Sequence, residues 1–438
     1  MPRRRPLRRS ATRGGRARSV PVAGLLLLAL PLILTVAFVT PAGPSLTMAA
    51  PPTASPTPAE FDDDGETIAS ERFVRGRDFV PSELRLADCA IDDFECRSQA
   101  YGNIAFYEGA ATAIDTLERE IAEIGDTSES CHLFTHTIGA ATLERMGNGA
   151  EAIVEAASTD GRGPELCTGG FFHGISDKIG WGQDGKIEDA AVEFATLCDA
   201  DAVWETTIGG DSCIHGAGHV FMQASNYDLP RSLIACDAFS GMTRHSDFIE
   251  GPGYGERMAC LTGVYMENGI VGLQSGSTYM DRTRPTFPCD TYVYDAAQAD
   301  ACWGILPSVL QEEELLEVSK IDEFCQQATF NSFGSCIIGW SNLIIHNNVP
   351  FGETERGIRQ CIDWAATNEI AQRCLHQGAS ETLHYWDYPA IAERYCLASD
   401  RPEDCWPAAV GGLLARTNGD GCRKVVAAVR ELYEACPD

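Results

Sequence analysis

No Cys-x-x-Cys pair occurs anywhere in the chain, although it carries 18 cysteines. That absence excludes zinc ribbons, thioredoxin-like redox motifs and c-type haem attachment. No Asn-x-Ser/Thr sequon is present, so nothing supports a glycosylated ectodomain. There is no His-Glu-x-x-His protease motif: Leu133 and Gly216 stand where the Glu would be. There is no Gly-x-Ser-x-Gly nucleophile elbow either. The run Gly251-Pro252-Gly253-Tyr254-Gly255 has no Lys-Ser/Thr after it and reads as a loop, not a phosphate cradle. Alternating β-branched stretches bounded by hairpin turns are scarce, which argues against a sheet. Beyond residue 40, basic side chains are the rare charge: 25 stand against 63 acidic ones, a net of −38. Such a body repels nucleic acid and anionic lipid. It suits cations, a basic partner, or plain solvation.

The first 40 residues lack acid altogether. Eight Arg, from Arg3 to Arg18, form a basic segment over 1–21 that stays in the cytoplasm. An uncharged apolar run follows at 22–39, between a signal-peptide core and a spanning helix in length. It reads as a signal peptide or transmembrane anchor, with an uncleaved anchor favoured because neither 40–42 nor 49–50 makes a clean small-x-small site. Residues 40–70 are rich in Pro, Ala and Thr and then acidic, a linker with too little apolar surface to fold. The folded body, 71–438, is then extracytoplasmic. All the cysteines lie beyond the apolar run, in a compartment where they form disulfides.

Helical signals dominate the body. Apolar positions recur every three or four residues over 101–124, predicting one amphipathic helix. A second is expected over 131–146, ended by Gly147-Asn148-Gly149. The cysteines then mark a repeat. Cys167, Cys213, Cys260, Cys302, Cys336 and Cys374 each open an expected helix and are followed closely by Gly, with Cys405 a degenerate copy. The steps are 46, 47, 42, 34, 38 and 31 residues. Cys198, Cys236, Cys289, Cys325, Cys361 and Cys396 alternate with them at the ends of preceding helices. Two helices per 30–47 residues predict an all-α fold: a disulfide-stapled α/α helical-repeat solenoid. Pairing each helix-end Cys with the next helix-start Cys gives 198–213, 236–260, 289–302, 325–336, 361–374 and 396–405. The same rule gives 131–167 and 422–436, and leaves Cys89 with Cys96. A Gly beside each helix-start Cys would let two helices approach closely; contact with a ligand is the alternative.

The unit Cys260-Leu261-Thr262-Gly263-Val264-Tyr265-Met266-Glu267-Asn268-Gly269 resembles a cysteine-rich Sel1-like repeat, a relative of the tetratricopeptide repeats. The stretch from Asp228 to Cys236 is similar to the helix that ends such a repeat. The resemblance covers two units well and four more faintly. It implies a stapled solenoid that binds a protein or peptide partner on its concave face. It does not account for the histidines.

Five of the nine histidines fall between 131 and 219. His132 and His136 are spaced i, i+4, as are His215 and His219, so each pair points one way on a helix. His173 and His219 stand six residues after a helix-start Cys, and His136 five. Equivalent positions stack in a solenoid, so these residues are expected to meet. Imidazole suits Zn, Cu and Fe. The leading reading is therefore a metal site on His132, His136, His173, His215 and His219, extended to a metalloenzyme of oxidase or hydrolase type. Glu267, one residue past the matching position of the next repeat, is a candidate general base. Asp177 and Glu144 are weaker candidates. The competing reading makes the histidines packed core residues bonded to backbone and the chain a non-enzymatic scaffold. His376 and His384 share a helix face. His346 and His245 read as helix-end or loop residues, and Trp340, Trp364 and Trp386 as core.

Overall fold

The computed structural model describes residues 79–416, apart from 125–127, 159–164, 182–185, 205–208, 245–253, 276–278, 313–314, 318–319, 350–351 and 385–388. The basic segment, the apolar run at 22–39, the linker and the cysteines at 422 and 436 lie outside the described residues. Among the described residues there are 17 α-helices and no strand. None of these helices is long and apolar enough to cross a membrane.

The helices are α1 (Phe94–Glu108), α2 (Ala110–Ile124), α3 (Ser128–Met146), α4 (Gly149–Ser158), α5 (Glu165–Trp181) and α6 (Ile187–Cys198). Then follow α7 (Asp201–Trp204), α8 (Gly209–Ala224), α9 (Leu229–Ala235), α10 (Tyr254–Ser275), α11 (Ala296–Glu312) and α12 (Ile321–Cys325). The last are α13 (Phe333–His346), α14 (Thr354–Asp363), α15 (Asn368–His384), α16 (Pro389–Ala398) and α17 (Pro402–Arg416). The longer helices α1, α3, α5, α8, α10, α11, α13, α15 and α17 pack one on the next in chain order. The helices between them pack against the same series. Aromatic side chains fill the seam between the rows: Phe194 of α6 meets Phe221 of α8 with ring centroids 6.2 Å apart, and Phe221 meets Phe239 at 6.2 Å. Trp303 and Trp340 are fully buried further along.

Local sequence explains the helix ends. Asp93 accepts a hydrogen bond from the Cys96 amide at 3.1 Å and caps α1. Asp228 does the same for Arg231 at 3.2 Å, with Pro230 in the first turn of α9. The single helix expected over 101–124 is two, broken at Gly109, whose φ of 98° no helix accommodates. Tyr107, which falls on the apolar period of 101–124, is 62% exposed. Gly147 ends α3 as expected, with φ 66°. Tyr254 and Gly255, read as loop, instead begin α10.

Seven disulfides occupy the described residues: 89–96, 198–213, 236–260, 289–302, 325–336, 361–374 and 396–405. Six follow the alternation rule, and Cys89–Cys96 is the pair the rule leaves over. Cys131 is disulfide-bonded too, whereas the Cys167 side chain lies outside the described residues. Most of the seven join the end of a short helix to the first turns of the next long one. Cα–Cα distances of 5.3–5.6 Å suit such bridges. Closing a 15-residue separation, as Cys198–Cys213 does, contributes roughly 3 kcal/mol. Disulfides at this density form in an oxidising compartment.

Candidate metal centre

Helices α3, α5, α8 and α10 lie side by side, and two pairs of glycines set how close they come. A Cβ on Gly174 of α5 would strike the carbonyl of His136 on α3, and one on Gly139 of α3 would strike the carbonyl of Phe171. Between α8 and α10 the pair is Gly218 against the Cys260 carbonyl and Gly263 against the His215 carbonyl. Each glycine costs its helix up to ~1 kcal/mol in propensity. In return the backbones touch, and side chains one residue away are drawn together. Of the glycines just after a helix-start Cys, Gly263 and Gly339 make such a backbone approach, Gly216 and Gly378 meet side chains, and Gly304 meets only the Ser335 carbonyl at 3.7 Å.

Two i, i+4 rows face this junction. One is His173 and Asp177 on α5. Another is His215, His219 and Gln223 on α8. His136 looks across from α3, and Thr262 and Glu267 from α10. The ligand nitrogens of His173, His215 and His219 all lie within 4.8 Å of one another. The His173 and His219 ring centroids are 4.0 Å apart, those of His215 and His219 4.9 Å, and those of His173 and His215 5.8 Å. His136 stands edge-on to His173 at 5.5 Å. His173 is 6% exposed and His219 3%, with Asp177 at 7% and Glu267 at 6%. This buried triad could hold a metal ion.

Hydrogen-bond partners assign the tautomers. His219 Nδ1 lies 2.9 Å from Glu267 Oε2. A carboxylate only accepts, so Nδ1 carries the hydrogen and Nε2 the lone pair. His215 Nδ1 lies 3.0 Å from Thr262 Oγ1, whose own hydrogen goes to the Ala259 carbonyl at 2.7 Å. The Thr262 oxygen must therefore accept, and His215 Nε2 is bare as well. These two Nε2 atoms are 3.1 Å apart. Two opposed lone pairs at that distance need a proton or a cation between them. Burial, and then the charge of His219, push the His215 imidazole down to about 3, so this ring stays neutral and its lone pair available. Nitrogens bound at 2.0–2.1 Å to a tetrahedral ion would stand roughly 3.3 Å apart, close to the separation seen. His136 follows the same pattern: its Nδ1 lies 3.2 Å from Asp177 Oδ2.

The sequence reading named five histidines, and the structure brings four to one junction. His132 lies on α3, but its side chain is outside the described residues. Glu267 is present, against the far side of His219. Asp177, ranked low, belongs to the junction; Glu144 instead pairs with Lys178 on an exposed edge. Gln223, Thr262 and Tyr227 were missed. Gln223 had a legible signal, because it continues the i, i+4 row of His215 and His219. Thr262 and Tyr227 had none, since their contacts span 47 and 40 residues. His376 bonds Ser399 at 3.2 Å, and His346 ends α13. Trp340 is core and Trp364 half-buried against it. His384's side chain, His245 and Trp386 lie outside the described residues. No protein-family model matches the chain, and no curated protein or solved structure matches it either.

Proposed function

We propose that this chain is an extracytoplasmic metal-binding protein. In this reading a disulfide-stapled α/α solenoid of Sel1-like type holds one first-row transition ion, Zn, Cu or Fe, on a ring nitrogen of His173 and the Nε2 atoms of His215 and His219. The observation that carries it is the approach of the His215 and His219 Nε2 atoms to 3.1 Å in a buried site, with both Nδ1 atoms hydrogen-bonded elsewhere. His136 on α3 supplies further imidazole beside the triad. Three protein ligands leave a fourth position for water or a small substrate, the arrangement through which zinc hydrolases act. A metalloenzyme is thus the natural extension, with an N-terminal membrane anchor at 22–39 holding the body outside.

The rival scaffold reading, in which a protein or peptide partner binds the concave face, requires no ion. Metal analysis of the purified chain separates the two. The protein is made in an oxidising compartment without a His tag and examined by plasma mass spectrometry. The expected result is about one first-row ion per chain, lost in His173→Ala/His219→Ala. A folded protein that carries no metal and takes up none of Zn, Cu or Fe overturns the proposal.

A further inference from the structure

Glu267 faces the wrong way for a general base. Its Oε2 accepts from His219 Nδ1 at 2.9 Å. Its Oε1 accepts from the Tyr227 hydroxyl at 3.1 Å and from Gln223 Nε2 at 3.5 Å. Both oxygens are engaged, the residue is buried, and the imidazole stands between it and the triad's centre. A base needs a lone pair aimed at the substrate; this carboxylate aims at the back of a ligand.

Asp177 repeats the arrangement on the other side. Its Oδ2 faces His136 Nδ1 at 3.2 Å, and its Oδ1 accepts from Gln223 Nε2 at 3.3 Å. One amide nitrogen of Gln223 thus reaches both carboxylates, from α8 to α5 on one side and to α10 on the other. Among the described residues neither carboxylate forms an ion pair with Lys or Arg. Their charge is met by neutral donors and by the histidines alone, which leaves it available to offset that of an ion.

We infer that Asp177, Gln223 and Glu267 form one positioning strap behind the metal centre. The carboxylates hold the Nδ1–H tautomer of His136 and His219: Glu267 turns the His219 Nε2 toward the ion and raises its basicity, and Asp177 fixes His136 beside the triad. Gln223 sets the spacing between the carboxylates. None of the three is a direct ligand or a general base. Partners of this kind commonly change metal affinity 10–100-fold when removed. The inference rests on the metal reading above.

The test is cobalt(II) titration of the full chain, read by its d–d absorption and by competition with a chelator. Wild type, Glu267→Gln, Asp177→Asn and Gln223→Leu are compared, with helix content and melting of the metal-free protein measured alongside. For Glu267→Gln the expected result is unchanged stoichiometry, an affinity about 10–100-fold weaker, and a shifted ligand-field band without loss of helix content. Asp177→Asn tests the other end of the strap should the first variant fold poorly, and is expected to weaken binding as well. Gln223→Leu is expected to weaken binding less than either. Carboxylate variants that bind cobalt as tightly as wild type, with the same spectrum, overturn the strap and leave the metal centre standing. Abolished stoichiometry in a folded Glu267→Gln protein also overturns it, by making Glu267 a ligand. A wild-type protein that binds no cobalt at all overturns the metal reading itself.

Discussion

Helices α3–α10 and helices α11–α17 are built on the same cysteine register but enclose different polar interiors. In the first set the residues six past the helix-start Cys include His173 and His219; in the second they are Ser308, Asn342 and Ser380. Seven past that Cys, both sets place a buried carboxylate, Glu267 on α10 and Glu381 on α15. Glu267 meets a histidine at 2.9 Å. Glu381 meets the Gln377 amide at 2.6 Å and stands 3.8 Å from His346 Nε2. Gln377 in turn reaches Asn342 at 2.9 Å. Glycine contact is not the difference, because Gly339 of α13 abuts the Gly304 carbonyl of α11 as closely as the pairs around the triad. Disulfides and glycines therefore make the frame, and the residues on the inward turns after each Cys, the sixth position among them, set whether an interior becomes a histidine cluster or an amide network.

That contrast can be broken most severely at the histidines. His173→Ala/His219→Ala should reduce bound metal from about one ion per chain to background, while His346→Ala/His376→Ala should leave it unchanged; plasma mass spectrometry reads both. Acid should also separate the halves. His215 has a folded pKa of about 3, against 6.5 for the free side chain. Folding therefore releases its proton, so its contribution is intact above pH 6.5 and is lost as pH falls from there toward 3. The melting temperature of metal-free protein should drop over that window, and His215→Asn should flatten the drop. His376, half-buried and also pushed down by burial and by Arg401, should contribute a smaller slope.

The disulfides come next in size. Removing Cys198–Cys213 or Cys396–Cys405 should each cost about 2–4 kcal/mol in denaturant unfolding. Only the first, which anchors the start of α8, should also weaken metal binding. Glycine replacement is the finest instrument. Gly263→Val drives a side chain into the His215 carbonyl and should cost about 1–3 kcal/mol, with loss of metal. Gly304→Ala meets only the Ser335 carbonyl at 3.7 Å, an ordinary contact, and should be nearly neutral. Equal effects at the two sites would show that close approach plays no part in assembling the triad.

Much of the frame was legible because cysteine spacing is a one-dimensional signal. A helix-end Cys followed by a helix-start Cys can be paired by counting; six described bridges follow that count, and Cys89–Cys96 is the pair it leaves over. The rows His173–Asp177 and His215–His219–Gln223 were readable for the same reason, since i and i+4 share a helix face. The helix break at Gly109 was not readable: the apolar period runs through it, and only the backbone shows the positive φ. Glu267 was found by repeat position, but its sequence position does not say which side of His219 it meets.

Taken alone, the sequence determined the helical class, the disulfide register and a set of histidines spaced to converge. Those depend on local periodicity and on counting along the chain. The tertiary structure decided which nitrogens face one another, which carboxylate stands behind which imidazole, and which glycines bring backbones into contact. These are matters of side-chain direction across helices 40 or more residues apart, and they arise only when α3, α5, α8 and α10 pack at contact distance.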